Sequence, residues 1–176
     1  MMHYNWDLKA TRIDYQEHCL PLVHPGIDQY PCSLYFTESL GIVFSSPQAG
    51  QDCCLAIPGI GAVPPNFLAP FNYTGSVDAY NMYGDVVACD AWVGPDAFGY
   101  RTAVADGADI VFKDGDSGVT WAVGDFEVTD QASSLFDLPS GGDCSKPCTF
   151  SQSAGPSPVL ADPMVHLALL HSQYRK

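Results

Sequence analysis

Ile110-Val111-Phe112-Lys113-Asp114-Gly115-Asp116-Ser117-Gly118-Val119-Thr120-Trp121-Ala122-Val123 sets the fold class. Two apolar runs flank an acidic turn punctuated by glycine. In the second run Val119, Trp121 and Val123 fall two apart and so face one way. Alternation with β-branched and aromatic residues marks a half-buried strand, and two such runs around a polar loop make a β-hairpin. The sequence reads this hairpin as Ile110 to Phe112, a turn from Lys113 to Gly118, and Val119 to Val128.

The same grammar recurs on the N-terminal side. Tyr4, Trp6 and Leu8 alternate, then Ile13 and Tyr15 after a break at Lys9-Ala10-Thr11, which predicts an opening hairpin. Leu34-Tyr35-Phe36-Thr37 and Ile42-Val43-Phe44 flank Glu38 to Gly41 in another. Gly75 to Tyr80, Val86 to Trp92 and Phe98 to Val104 read as three more strands. Cys54 to Phe71 is rich in proline, which cannot donate to a ladder, and reads as loop with a short helix near Asn66-Phe67-Leu68 as the alternative. Leu138 to Cys148 is a turn-rich exit. Ser151 to Pro158 is a Ser/Pro linker, and Pro163 to Ser172 a short helix started by Asp162-Pro163. The expectation is an all-β domain over residues 1–150, with roughly nine antiparallel strands, and a tail over 151–176 ending in a short helix.

Composition narrows the function classes. The chain has 176 residues, of which 47 % are hydrophobic and 15 % charged, so it is not a disordered protein. Seven Lys plus Arg against 20 Asp plus Glu give a formal charge of −13. No basic face for nucleic acid or anionic headgroups can be assembled from that set. Sixteen Gly and 14 Pro, about one residue in six, fit many turns and short strands. No apolar run reaches the ~18 residues of a membrane span. Met1 to Asp7 carries no signal-peptide core, so the expectation is a leaderless protein or a start inside a longer secreted chain.

The cysteines are Cys19, Cys32, Cys53, Cys54, Cys89, Cys144 and Cys148. Their density fits an extracellular or secretory and lysosomal lumen, and their spacing lacks the paired ligands of a zinc site. At least two disulfides are expected, with Cys144 or Cys148 tying the closing block to an earlier strand, and the odd count leaves one thiol free or its partner outside the chain. Asn72-Tyr73-Thr74 before Gly75 is a glycosylation acceptor pattern.

Candidate chemistry is sparse. Gly115-Asp116-Ser117-Gly118 matches the core of a serine-protease nucleophile motif, and Glu17-His18-Cys19 resembles the base segment. A hydrolase using Ser117 is therefore one reading. Val119 stands where such proteases carry glycine, and a hairpin loop of this composition needs no catalytic role. Asp109, Asp114 and Asp116 offer hard oxygens to calcium, the one cofactor the sequence admits, against the plainer reading of a solvated acidic turn. His3, His18, His24, His166 and His171 are scattered, and Gly59-Ile60-Gly61 lacks the rest of a phosphate loop. Three Trp, nine Tyr and nine Phe on two-faced strands mean either a filled core or a curved sheet enclosing an apolar ligand.

In their order along the chain several segments resemble the ependymin-related proteins. These are Tyr4-Asn5-Trp6-Asp7 with Thr11-Arg12-Ile13-Asp14-Tyr15, then Cys53-Cys54 before Pro64-Pro65-Asn66-Phe67-Leu68 and Tyr73-Thr74-Gly75. Cys89-Asp90-Ala91-Trp92, Trp121 to Phe126, and Ser134-Leu135-Phe136-Asp137-Leu138-Pro139 with Cys144 complete the match, over residues 3 to 150. The resemblance implies a secreted, disulfide-bonded β fold whose curved antiparallel sheets form a half-barrel around an apolar pocket, similar to bacterial lipoprotein carriers. It also implies a hydrophobic small-molecule ligand, frequent homodimers, and an association with calcium and matrix rather than catalysis. The lining is then drawn from Trp121, Val123, Trp92, Tyr80 and Phe112. The rival expectation is a matrix or adhesion β protein with no cavity.

Overall fold

The computed structural model describes residues 1–17, 19, 30–113, 120–124 and 127–149. The linker and helix expected over 151–176 lie outside them. The described residues are all-β, with ten strands in two antiparallel five-stranded sheets. The first holds β1 (Met2–Asn5), β2 (Ala10–Tyr15), β3 (Cys32–Thr37), β4 (Gly41–Ser46) and β5 (Gln51–Pro58). The second holds β6 (Asn72–Tyr80), β7 (Val86–Val93), β8 (Gly99–Ala103), β9 (Asp109–Lys113) and β10 (Thr120–Ala122). Each sheet is a meander in which every strand pairs with its sequence neighbour. Two compact units result: Met1–Pro64 with the chain from Asp130, and Pro65–Thr129.

Three expectations are corrected. β5 is a strand where a loop was expected. Its run Cys53-Cys54-Leu55-Ala56-Ile57 lacks alternation because both faces are engaged, which removes the period-two signal. β1 ends at Asn5, and Trp6 to Lys9 form the turn. There the indole is used locally, with Lys9 Nζ 3.4 Å from the ring centroid of Trp6. The last strand spans only Thr120–Ala122 among the described residues and does not run to Val128, which is exposed.

In the first unit, cross-strand rows define two faces. Met2, Ile13, Leu34, Phe44 and Cys54 align in one row, and Tyr4, Thr11, Phe36, Ile42 and Ile57 in the next. Leu34, Phe36, Ile42 and Phe44 on this face are fully buried. The Tyr4 hydroxyl donates to the Val63 carbonyl at 3.0 Å, and burial pushes its pKa up to about 12. The opposite face carries His3, Arg12, Tyr35, Val43 and Leu55 in one row. Tyr35, Val43, Cys53 and Cys144 form a core there, with Leu40, Leu55 and Leu138 packed around it.

Residues 130–149 are held on the first unit by backbone and side-chain bonds. Arg12 Nη1 donates to the Leu135 carbonyl at 3.0 Å, Leu55 N–H to Lys146 O at 2.7 Å, and Cys148 N–H to Leu55 O at 3.0 Å. Six of the seven cysteines pair, as Cys19–Cys32, Cys53–Cys144 and Cys54–Cys148. The expected tie from the closing block is therefore double. Cys89 is the remaining free thiol and is buried. Adjacent residues on a strand point to opposite faces, so Cys53 and Cys54 fasten the segment through both sides of β5.

The β3–β4 hairpin depends on one glycine. Gly41 has φ +122°, and a Cβ there would lie 2.2 Å from Ile57 O. Thr37 Oγ1 accepts the N–H groups of Leu40 and Gly41 and donates to Gly41 O, which closes the turn.

Candidate functional site

The second sheet gathers the candidate residues. Register aligns Tyr73 on β6 with Trp92 on β7, Trp92 with Tyr100 on β8, Tyr100 with Phe112 on β9, and Phe112 with Trp121 on β10. Directly opposed residues project from the same side of a sheet, so five aromatic side chains form one transverse row. Tyr100 and Phe112 meet at 4.5 Å between ring centroids, and Tyr73 and Trp92 at 5.2 Å.

Phe67 and Phe71, from the proline-bounded turns before β6, extend the row, as does Phe98. Phe67 sits edge-on to Tyr100 at 5.0 Å, Phe98 at 6.4 Å from Phe112, and Phe71 at 5.9 Å from Phe98. Gly94 admits this packing, since a Cβ there would lie 2.6 Å from the Phe71 ring. Tyr100, Phe112 and Phe98 are buried at 3 %, 3 % and 0 % exposure, whereas Tyr73 at the sheet edge is 52 % exposed.

Polar groups sit among the rings. The Tyr100 hydroxyl donates to the Asp109 carboxylate. Burial raises the pKa of Asp109 against the lowering effect of that hydrogen bond. Burial first, then the charge of Asp109, raises that of Tyr100. Asp90 accepts from Tyr73 at 3.0 Å and from Ser76 at 3.2 Å. Trp92 Nε1 is buried with no hydrogen-bond partner among the described residues, a donor left unsatisfied at the centre of the row.

The opposite face of this sheet is a separate small core of Ala79, Cys89, Ala103, Ile110 and Val111. A register shift between Arg101 and Thr102 lets Ile110 and Val111 both reach it and returns Asp109 to the side of Tyr100.

Of the five residues expected to line a pocket, Trp92, Phe112 and Trp121 come together in the row. Tyr80 lies on the same face by alternation, but at the far end of β6 opposite Val86, and is 68 % exposed. Val123 lies past the end of β10, where its N–H donates to Ile110 O at 2.9 Å. Sequence reading passed over Tyr100, Phe67, Phe71 and Phe98. The i, i+4 spacing of Phe67 and Phe71 between Pro65 and Gly75 was the available signal.

Asp114, Asp116 and Ser117 lie outside the described residues. The carboxylate of Asp109 is engaged by Tyr100, and among the described residues no group of three or more His, Cys, Asp or Glu is placed to hold a metal. Asn72 is exposed at the start of the edge strand β6, and Thr74 Oγ1 of the same triplet donates to Ala91 O at 3.1 Å.

Shallow depressions lie among the described residues of the first unit. One of about 450 Å³ is bordered by Asp14, Ser33, Tyr35, Pro47 and Pro139, and one of about 420 Å³ by Leu8, Glu38, Ser133 and Phe136. At the first, Asp14 accepts from Arg12 Nε at 2.9 Å and from Ser33 Oγ at 2.5 Å, with His3 Nε2 at 3.9 Å. Asp14 bridges Arg12, His3 and Ser33, and among the described residues no imidazole contacts the serine, so the arrangement is an ion-pair network rather than a Ser–His pair.

No helix among the described residues is long and apolar enough to cross a membrane. Three intrachain disulfides fit a compartment where such bonds persist. Comparison with protein-family models, with curated proteins and with solved structures finds no match.

Proposed function

We propose that this chain is a secreted, non-enzymatic binder of an apolar ligand such as a lipid or fatty acid. The contact surface in this reading is the aromatic face of β6–β10, entered at its exposed Tyr73 and Tyr80, with Tyr100 and Phe112 buried behind them. The observation that carries it is the transverse row Tyr73, Trp92, Tyr100, Phe112 and Trp121, with the unpaired indole N–H of Trp92 among the rings. The half-barrel implied by the ependymin resemblance, calcium association, glycosylation at Asn72 and homodimer formation belong to the same proposal. A fatty chain that surrenders about 400 Å² to such a face gains about 10 kcal/mol. Association costs of at least about 4 kcal/mol leave a Kd no tighter than about 40 µM, with no charged partner for the headgroup.

Titration of the protein with a fluorescent fatty-acid analogue tests this. Wild type takes up the analogue, and Trp121→Asp loses uptake while its circular dichroism is unchanged. Folded wild type that takes up no analogue and releases no lipid on solvent extraction refutes the reading.

One observation favours a matrix or adhesion protein without a cavity. Phe67, Phe98, Tyr100 and Phe112 already fill one another's contact surface. That reading takes over if uptake fails.

A further inference from the structure

The outer edge of the second sheet is unused. β6 is its outermost strand, with no strand on its other side among the described residues. An open row of backbone N–H and C=O groups is a template for another strand, and proteins usually blunt it with charges, Pro, a β-bulge or a very short strand. β6 is nine residues long, Asn-Tyr-Thr-Gly-Ser-Val-Asp-Ala-Tyr, and carries neither Lys nor Pro. Its one register shift lies between Tyr73 and Gly75, which leaves Ser76 to Tyr80 in regular pairing with β7.

Along that stretch Ser76, Asp78 and Tyr80 project from one face and Val77 and Ala79 from the other. Val77 is 38 % and Tyr80 68 % exposed. The hairpin from Asn72 to Val93 contains Asp78, Asp85 and Asp90 and no Lys, Arg or His. Asp90 is held by Tyr73 and Ser76, and Asp85 accepts from the Asn81 side chain at 3.3 Å. Asp78, the one charged residue of the edge strand, is exposed and makes no hydrogen bond or ion pair among the described residues.

We propose that the β6 edge captures an extended segment of a partner polypeptide that alternates aliphatic and basic side chains, added as a further strand of this sheet. Backbone bonds supply the attachment, a basic side chain lies beside Asp78, and an aliphatic one lies beside Val77 on the opposite face. A second copy of this chain is the poorer occupant, because its own hairpin brings only carboxylates. The proposal does not depend on the apolar-ligand reading.

The probe is a fluorophore-labelled peptide of four Val-Lys repeats, followed by anisotropy with the full chain at low salt. The controls are a Val-Glu peptide and a peptide of the same charge with Pro in place of alternate Val, which cannot pair as a strand. Wild type binds the Val-Lys peptide and neither control. Asp78→Lys weakens that binding by about tenfold and gains affinity for Val-Glu. Asp78→Asn serves as the second variant should Asp78→Lys fail to fold, and it removes the preference for Lys over Glu.

Equal binding of the Pro-containing peptide overturns the proposal as mere attraction to an acidic protein. No binding of any peptide overturns it outright. A wild-type dimer by sedimentation that Asp78→Lys alters assigns the edge to a second copy and overturns it as well.

Discussion

Removing the two disulfides that tie residues 130–149 to β5 should be strongly non-additive. Cys53–Cys144 and Cys54–Cys148 span sequence separations of 91 and 94. Closing a loop of that length in the unfolded chain is worth about 4.6 kcal/mol at 25 °C on the chain-entropy account. Once either bond exists, the other closes only a short loop of about six residues through the first bridge, worth about 2 kcal/mol. Replacing Cys53 and Cys144 by Ala, or Cys54 and Cys148 by Ala, should therefore cost about 2 kcal/mol each. Replacing all four should cost between about 6 and 7 kcal/mol, well above the sum of the two. That is comparable to the whole stability of many domains, so the quadruple variant should lose its cooperative transition near room temperature. Guanidinium unfolding of the three variants without reductant measures this. Two pairwise losses that each exceed about 4 kcal/mol and add to the quadruple loss would refute the shared-loop reasoning. They would place the stabilisation in native contacts of each bond instead.

Gly41→Ala combines a disfavoured φ of +122° with a Cβ at 2.2 Å from a backbone oxygen, and should cost about 3 kcal/mol or more, read as a fall in Tm. Burial raises the pKa of Asp109, so the folded state holds that proton more tightly than the unfolded chain. The resulting stabilisation is full below the ordinary carboxylate value near ~4 and is lost as pH rises through the higher folded value. Asp109→Asn should then be more stable than wild type at neutral pH and lose that advantage in acid, as denaturation at several pH values would reveal. The buried Cys89 thiol, whose pKa burial also raises, should react with a thiol reagent only as fast as the protein unfolds; rapid labelling under native conditions contradicts its placement.

Period-two patterning made the all-β class and most hairpins legible, most plainly where burial alternates along the strand, as in β1 and β7. β5 was hidden for the opposite reason. Cys53 and Cys54 are both spent in bonds on their respective faces, and no alternation survives. Trp6 misled because its spacing from Tyr4 and Leu8 carries the period of two into the turn, where Lys9 covers its ring. The aromatic row was only partly visible. Trp92, Phe112 and Trp121 were singled out, but their alignment is set by pairing register and by the shifts near Tyr73 and Arg101, which no local pattern encodes. Tyr100 went unnoticed although it touches Phe67 and Phe112, since its importance is a matter of neighbours rather than of its own segment.

The adjacent cysteines of β5 also set a sorting problem for oxidative folding. Both meanders are assembled from sequence-neighbouring hairpins, whose formation takes microseconds. The closing segment must instead return across some ninety residues and choose between thiols one position apart. The exchanged isomer, Cys53 with Cys148 and Cys54 with Cys144, has almost the same loop lengths and so nearly the same entropic cost. It would, however, draw the segment through the sheet from the wrong sides. Discrimination must therefore come after the strands exist, through thiol exchange guided by the Leu55 backbone bonds to Lys146 and Cys148. Refolding from the reduced state should accordingly be limited by reshuffling of this pair and accelerated by a disulfide isomerase, while β6–β10 acquires its structure first.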